Sequence, residues 1–370
     1  MKIDINNAQK RYGSHQALAD ISLVADDGEL LVLLGPSGSG KTTLLRSIAG
    51  LETIDSGQIL FGTRPVNDLD PADRNVGMVF QDYALYPHLS VRNNIAYNMK
   101  IRKLGSALIE QRVKEVAEML EIAPYLDRKP AELSGGQRQR VAVARAITRD
   151  AEVLLMDEPL SNLDAQIREH VRVELRELQK RLGVTTVYVT HDQVEAMVMA
   201  DRLAVMSNGR IEQIGSPAEI YDRPATLFCA RFVGSPKINE VRGTLEQGTD
   251  GLYFTLGGST ELKLKLTQED GQSINEKTDV ILAFRAEDAV VSGDGIPLAV
   301  SLVENRGAEK FVVASLAPQY RGSQISADIR VRLSRGDDVS SQAHLLPIQV
   351  HLFDGKSGAR LAGARHAPKA

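Results

Sequence analysis

A chain of 370 residues, 43% of them hydrophobic, exceeds what one core usually organises and predicts two domains, each with apolar residues enough for its own core. Its apolar runs, residues 30–34 and 153–156 among them, fall far short of the ~20 residues that span a bilayer, so a membrane-crossing helix is excluded. Forty-four basic against forty-eight acidic residues give a formal charge of −4 without a polybasic arm, which speaks against nucleic-acid binding. Residues 1–7 lack the apolar core of a secretory signal, and Cys229 is the only cysteine, so no intrachain disulfide is possible and a reducing cytoplasm is expected.

From residue 2 to about 234, apolar runs alternate with helix-period segments, the pattern of an α/β domain with a mostly parallel sheet. The run at 30–34 leads into Gly35-Pro36-Ser37-Gly38-Ser39-Gly40-Lys41-Thr42 and a helix-like segment from Lys41, the context of a phosphate-binding loop. Gly35, Gly38 and Gly40 let backbone N–H groups close around phosphate oxygens; Lys41 reaches the β and γ phosphates; the Thr42 hydroxyl is placed for Mg²⁺, and Thr43 adds a donor at the positive helix end. Between about 90 and 150 strand signals vanish and Leu108, Ile109, Val113, Val116 and Leu120 mark a helical insert. Within it, Ser134 precedes Gly135, Gly136 and Gln137 and a helical run; on its own this reads as a helix cap, although a bare helix start is also an anion site.

Residues 153–156 form a buried strand that ends in Asp157 and Glu158, where a parallel sheet exposes its ligand edge. Asp157 can hold Mg²⁺ through water, and Glu158 can take a proton from an attacking water. A one-faced helix follows over 164–182, closed by Gly183, then a strand at 184–189 and His191, which at a third strand end can hydrogen-bond the γ phosphate though alone it is an ordinary surface histidine. Asn208-Gly209 predicts a two-residue hairpin between 202–206 and 211–214. After Gly234-Ser235-Pro236 the texture turns all-β, with strands expected at 241–247, 262–266, 280–284, 298–303, 311–316, 325–333 and 347–353 in one or two small barrels, and a loosely ordered tail from 355.

The phosphate loop, Leu133-Ser134-Gly135-Gly136-Gln137, the Asp157-Glu158 strand end, Ser161-Asn162-Leu163-Asp164 and His191 together resemble the ATPase subunit of ATP-binding cassette (ABC) transporters. Residues 80–88 (Phe-Gln-Asp-Tyr-Ala-Leu-Tyr-Pro-His), residues 234–239 and the β-rich last third resemble the carbohydrate importer branch, the maltose-importer type. The resemblance implies a P-loop NTPase cassette over 1–235 with its helical subdomain at about 90–150, followed over 236–370 by an all-β, OB-like (TOBE) regulatory domain. By the same resemblance Tyr12 stacks on the adenine of ATP, Gln81 touches Mg²⁺ and the attacking water, residues 82–88 contact a short cytoplasmic helix of two transmembrane permease subunits, and Asp164 couples two copies. It further implies a homodimer in which ATP lies between one chain's residues 35–43 and the other's 134–137, peripheral at the cytoplasmic face of the cell (inner) membrane, with a periplasmic or extracellular solute-binding protein delivering a carbohydrate. Import of glycerol phosphate, a polyamine, iron or sulfate is the alternative, followed by a soluble non-transport ABC ATPase.

Overall fold

β1 (Ile3–Tyr12) and β2 (His15–Ala25) pair antiparallel in the computed structural model, which describes residues 1–148, 151–249, 251–257, 261–271, 277–334 and 342–366. Two units separate by their internal contacts, Met1–Pro217 and Ala218–Ala370. In the first, β3 (Leu30–Leu34) and α1 (Lys41–Ala49) precede β4 (Ser56–Phe61) and β5 (Arg64–Pro65), which join the opening pair in an antiparallel sheet of order β2-β1-β4-β5. The chain continues through β6 (Val76–Val79), α2 (Val91–Ile101), α3 (Ser106–Met119), α4 (Gly135–Ile147), β7 (Val153–Asp157) and α5 (Ala165–Leu182). It closes with β8 (Thr185–Thr190), α6 (Gln193–Met199), β9 (Arg202–Ser207) and β10 (Arg210–Gly215). The second sheet runs β10-β9-β3-β8-β7-β6, parallel except for β10.

Every residue of β3, β7 and β8 is buried, as expected of strands covered on both faces. Leu44, Leu45 and Ile48 of α1 are fully buried in one cluster with Ile3 and Ile5 of β1, Leu31 and Leu33 of β3, and Val187 and Val189 of β8. Burying each such side chain stabilises by about 1.5–3 kcal/mol, which fixes α1 against both sheets and with it the loop that precedes it. The register pairs Leu34 with Thr190, Asp157 with Val189 and Val79 with Met156, so the carboxyl ends of β3, β8, β7 and β6 emerge at one edge. The helix of 164–182 is present with Asp164 as N-cap and Gly183 in the left-handed region, and Asn208 and Gly209 both have positive φ in the hairpin turn.

The second unit begins at Ala218, within α7 (Pro217–Asp222), and continues through α8 (Leu227–Phe232). Its strands are β11 (Asn239–Gly248), β12 (Gly251–Leu256), β13 (Leu262–Gly271), β14 (Thr278–Phe284), β15 (Ala289–Ser292), β16 (Ile296–Asn305), β17 (Lys310–Leu316), β18 (Ile329–Leu333), β19 (Gln342–Pro347), β20 (Gln349–Asp354) and β21 (Arg360–His366). Six form a closed barrel, β11-β12-β13-β21-β20-β14, and five a sheet of order β15-β19-β16-β17-β18. Alternate side chains of barrel and sheet, among them Val241, Phe254, Leu282, Leu298, Val312 and Leu345, share one core. The unit boundary at 217 precedes the expected one at 235 because α8 packs with the barrel, its Leu227 and Ala230 clustering with Ile238, Ile281, Ala283 and Phe353. A loose tail from 355 is not what forms: residues 360–366 are β21, whose Ala362 and Ala364 are fully buried, while 367–370 lie outside the described residues.

Two groups in this unit, the buried His351 and the half-buried Asp288, titrate with opposite effects on stability. His351, 2% exposed, is kept neutral by burial and by the charges of Arg285 and Arg360, which push its pKa down to about 4. The unfolded chain takes up this proton near pH 6.5, so stability is lost as the pH falls from about 6.5 to about 4, by up to about 3 kcal/mol. Asp288 has the opposite sense: burial and the Glu287 charge raise its pKa to about 6. Its ionised form therefore costs the fold up to about 3 kcal/mol above pH 6, a cost relieved as the pH drops below that value. Asp288→Asn is thus expected to raise the melting temperature at pH 7.5 and to give a steeper acid loss between pH 6.5 and 4 than wild type. Superimposable pH profiles of melting for the two proteins would contradict this.

Candidate functional site

The loop that leaves β3 at Gly35 enters α1 at Lys41. Gly40 holds φ 100°, and a Cβ there would lie 2.4 Å from the Ala17 carbonyl oxygen, so only glycine fits. No side chain caps α1, which leaves its first N–H groups facing an anion site. Lys41 is buried and donates from Nζ to the carbonyl oxygens of Gly35 at 2.8 Å and Pro36 at 2.9 Å, and to Ser39 Oγ at 3.4 Å. Burial lowers its pKa, opposed by the charges of Glu158 and Asp157. The ammonium therefore lies across the loop, where phosphate oxygens can take the place of the carbonyl oxygens. A cleft of about 380 Å³ opens over it, lined by Tyr12, Ser37, Lys41, Thr42, Thr43 and Glu158 among others. Tyr12, at the end of β1, is 46% exposed with the Lys10 ammonium 5.3 Å from its ring centroid, leaving ring surface for stacking.

Three further strand ends supply polar groups. Asp157, the last residue of β7, is buried and accepts a hydrogen bond from Thr42 Oγ1 at 3.1 Å. Burial raises its pKa, while the Thr42 bond and the Arg46 charge act against that. A hydroxyl beside a buried carboxylate is an all-oxygen pair, the kind Mg²⁺ takes together with water and phosphate oxygens. Among the described residues no group of three or more His, Cys, Asp and Glu could hold a metal, so an ion here would need those outside oxygens. Glu158 has φ 45°, a strained value for a non-glycine residue, with its N–H bonded to the Val189 carbonyl at 3.0 Å. That turn brings its Oε2 to 3.1 Å from His191 Nδ1, and Gln81 Nε2 donates to the same oxygen at 3.5 Å. A carboxylate flanked by an imidazole and a carboxamide, beside a phosphate loop, can orient and deprotonate a water.

Residues 134–137 do not line the cleft. Ser134 is exposed and caps α4: the Gln137 N–H donates to Ser134 Oγ at 3.3 Å and the Ser134 N–H to Gln137 Oε1 at 2.9 Å, a reciprocal capping box. Gly135 and Gly136 sit against Leu163 and Val171. Asp164 caps α5 through the Ile167 N–H at 3.0 Å. Within one chain these are helix-end residues, and any phosphate at α4 must come from outside it. The sequence reading missed His15 and Ala17 of β2 as cleft residues, since nothing in its parallel-sheet pattern brings β2 there. Asn162, which no sequence signal marked for a role, donates from Nδ2 to the Gln81 carbonyl at 2.8 Å and so fixes the segment that carries Gln81.

A family model described as ABC transporter matches residues 18–161. The sn-glycerol-3-phosphate import ATP-binding protein UgpC of Cupriavidus pinatubonensis is 47% identical, over 97% of this chain and 99% of the relative, and that of Ruegeria pomeroyi is 46% identical over the same shares. Among solved structures, the dimeric MJ0796, a bacterial ABC transporter cassette, superposes with a TM-score of 0.52 at 31% identity, covering 58% of this chain and 98% of that one. The same cassette in a dimeric post-hydrolysis state bound to ADP and Pi gives 0.51 at 30% identity, over 58% and 98%. CbiO1 of Clostridium perfringens, part of an ABC transporter complex, gives 0.56 at 30% identity, over 60% and 90%.

Proposed function

The chain belongs to the ABC transporter ATPases and binds and hydrolyses ATP, and from that premise we propose that it energises import of a carbohydrate derivative, sn-glycerol-3-phosphate first among them, through separate membrane-spanning subunits. One observation carries the chemistry: Glu158 Oε2 faces both His191 and Gln81 beside Lys41 and the phosphate loop. The solute rests on the similarity to glycerol-phosphate import proteins, which extends through the β-rich second unit. Sn-glycerol-3-phosphate is a sugar derivative and so falls within carbohydrate import, although glycerol phosphate stood among the alternatives to it.

Residues 35–43 cradle the phosphates, Lys41 contacts the β and γ groups, and Tyr12 stacks on adenine. Thr42, Gln81 and, through water, Asp157 would hold Mg²⁺, which when bound neutralises phosphate charge. Glu158 takes a proton from water as the water oxygen bonds the γ phosphorus and the bond to the departing ADP oxygen breaks; His191 orients both partners. A second copy presents the start of its α4, residues 134–137, to that γ phosphate, while Asp164 links the two sites. The dimeric MJ0796 cassette supports such a pair.

No helix among the described residues is long and apolar enough to cross a membrane; the permease is read as a separate partner, with this subunit at its cytoplasmic face, from the similarity to import ATP-binding proteins. A groove of about 270 Å³, lined by Leu51, Phe80, Ala84, Tyr86 and Asn98 among others, suits a short permease helix docking at residues 82–88. A solute-binding protein completes the importer on the other side. Deleting the gene is expected to abolish uptake of labelled sn-glycerol-3-phosphate, with recovery by the wild-type gene and not by Glu158→Gln. Uptake unchanged for this solute but lost for a sugar would reassign the solute; no uptake defect across a panel of both would overturn the importer role.

A further inference from the structure

α4 starts at the Ser134 cap and ends beside the segment that follows Gln81. Near its end the buried Arg145 sends Nη1 to the Ala84 carbonyl at 2.5 Å and Nη2 to the Tyr83 carbonyl at 3.0 Å, and its guanidinium lies 5.7 Å from the Tyr86 ring centroid. Both gripped residues have left-handed backbones, Tyr83 at φ 61° and Ala84 at φ 46°, which non-glycine residues adopt in succession only when held. A planar fork matches two adjacent carbonyls as an ammonium cannot. Among the described residues no carboxylate forms an ion pair with Arg145, so these carbonyls, the Tyr86 face and the nearby Asp82 charge offset its burial. Packing alone gives no reason for a charge there.

The segment hangs from three anchors. Asn162, after β7, holds Gln81. Asn94 of α2 exchanges bonds with Tyr86, accepting from its N–H at 2.8 Å and donating to its carbonyl at 3.1 Å. Only the middle anchor, Arg145, stands on the helix whose other end is Ser134, about 16 Å away along the axis. Next to it α4 presses on β6, where a Cβ on Gly77 would lie 2.6 Å from the Ala146 carbonyl oxygen. The last turn is thus held against β6, while the Ser134 end packs through Gly135 and Gly136 on Leu163 and Val171.

We propose that Arg145 is a positioning residue that converts movement of the Ser134 end of α4, when it closes on ATP held by a second copy, into movement of residues 82–86 at the permease groove. The proposal rests on reading 82–88 as the docking segment. Arg145→Lys keeps the charge and loses the fork. In the assembled importer it is expected to bind ATP within twofold of wild type while solute moved per ATP hydrolysed falls at least tenfold; Tyr86→Asp serves as the docking control. If Tyr86→Asp prevents co-purification of the permease yet Arg145→Lys keeps the wild-type transport ratio, the link through Arg145 is wrong and the docking reading stands. If Tyr86→Asp leaves assembly and transport intact, the docking reading fails and the proposal falls with it. Should Arg145→Lys not assemble, hydrogen exchange decides: ATP added to the Glu158→Gln importer is expected to slow amides of 82–86 and 134–147 together, and slowing of 134–147 alone overturns the proposal.

Discussion

Glu158→Gln is expected to cut ATP turnover by about 10²–10⁴, the usual worth of a positioned general base, while ATP stays bound. The amide has the size of the carboxylate, and the side chain's direction is set by the backbone, by φ 45° and the N–H bond to the Val189 carbonyl, neither of which the substitution touches. An amide oxygen still accepts from His191 Nδ1, 3.1 Å away in the wild type, but it takes no proton from water at neutral pH. Binding groups in residues 35–43 and at the start of α4 are unchanged, so the variant is expected to accumulate a dimer joined by ATP. Gel filtration checks it: an earlier peak with ATP and Mg²⁺, absent with ADP, which lacks the phosphate proposed to meet the second copy's helix end. Wild-type phosphate release by the variant would move the base role to His191 or to the substrate phosphate itself.

Lys41→Ala removes nucleotide binding rather than turnover. Each charge-assisted hydrogen bond to phosphate is worth about 1.5–3 kcal/mol, so losing two of them weakens ATP binding by about 10²–10⁴-fold. The free protein is expected to change little, because the substitution removes a buried charge, which stabilises, along with its bonds to the Gly35 and Pro36 carbonyls, which destabilises. Thermal melting separates the two effects: wild type melts higher when ATP is added and the variant does not. A fluorescent ATP analogue bound by Lys41→Ala with unchanged affinity would remove Lys41 from the phosphate site.

What the sequence disclosed follows from how local each signal is. The loop from Gly35 to Thr42, the apolar run into Asp157, the helix between Asp164 and Gly183 and the Asn208-Gly209 turn depend on neighbours a few residues away, and all were legible. β1, β2 and β4 escaped because the hairpin of β1 and β2 turns on Gly13-Ser14 without a clean apolar alternation on either strand, and β4 joins β1 only across tens of residues, so an antiparallel sheet hid inside an α/β pattern. β21 was illegible for the opposite reason: Ala362, Gly363 and Ala364 are small rather than apolar in alternation, and they are buried because the barrel wall is tight there. Arg145 did leave a trace, a basic residue in the apolar stretch 141–146, but only the backbone of residues 83–84 explains it. The resemblance implied that Gln81 touches the attacking water; that Gln81 and His191 both reach the Glu158 carboxylate is visible only in the fold, and the residue pattern alone placed Glu158 and His191 at strand ends.

The barrel is sealed by β21, which pairs with both β13 and β20. During synthesis, therefore, the ATP-binding unit has all its strands once β10 has left the ribosome, whereas the barrel keeps two open edges until residue 366 has been made. Open strand edges invite pairing with other chains, so the nascent second unit is the stretch that most needs shielding by a chaperone.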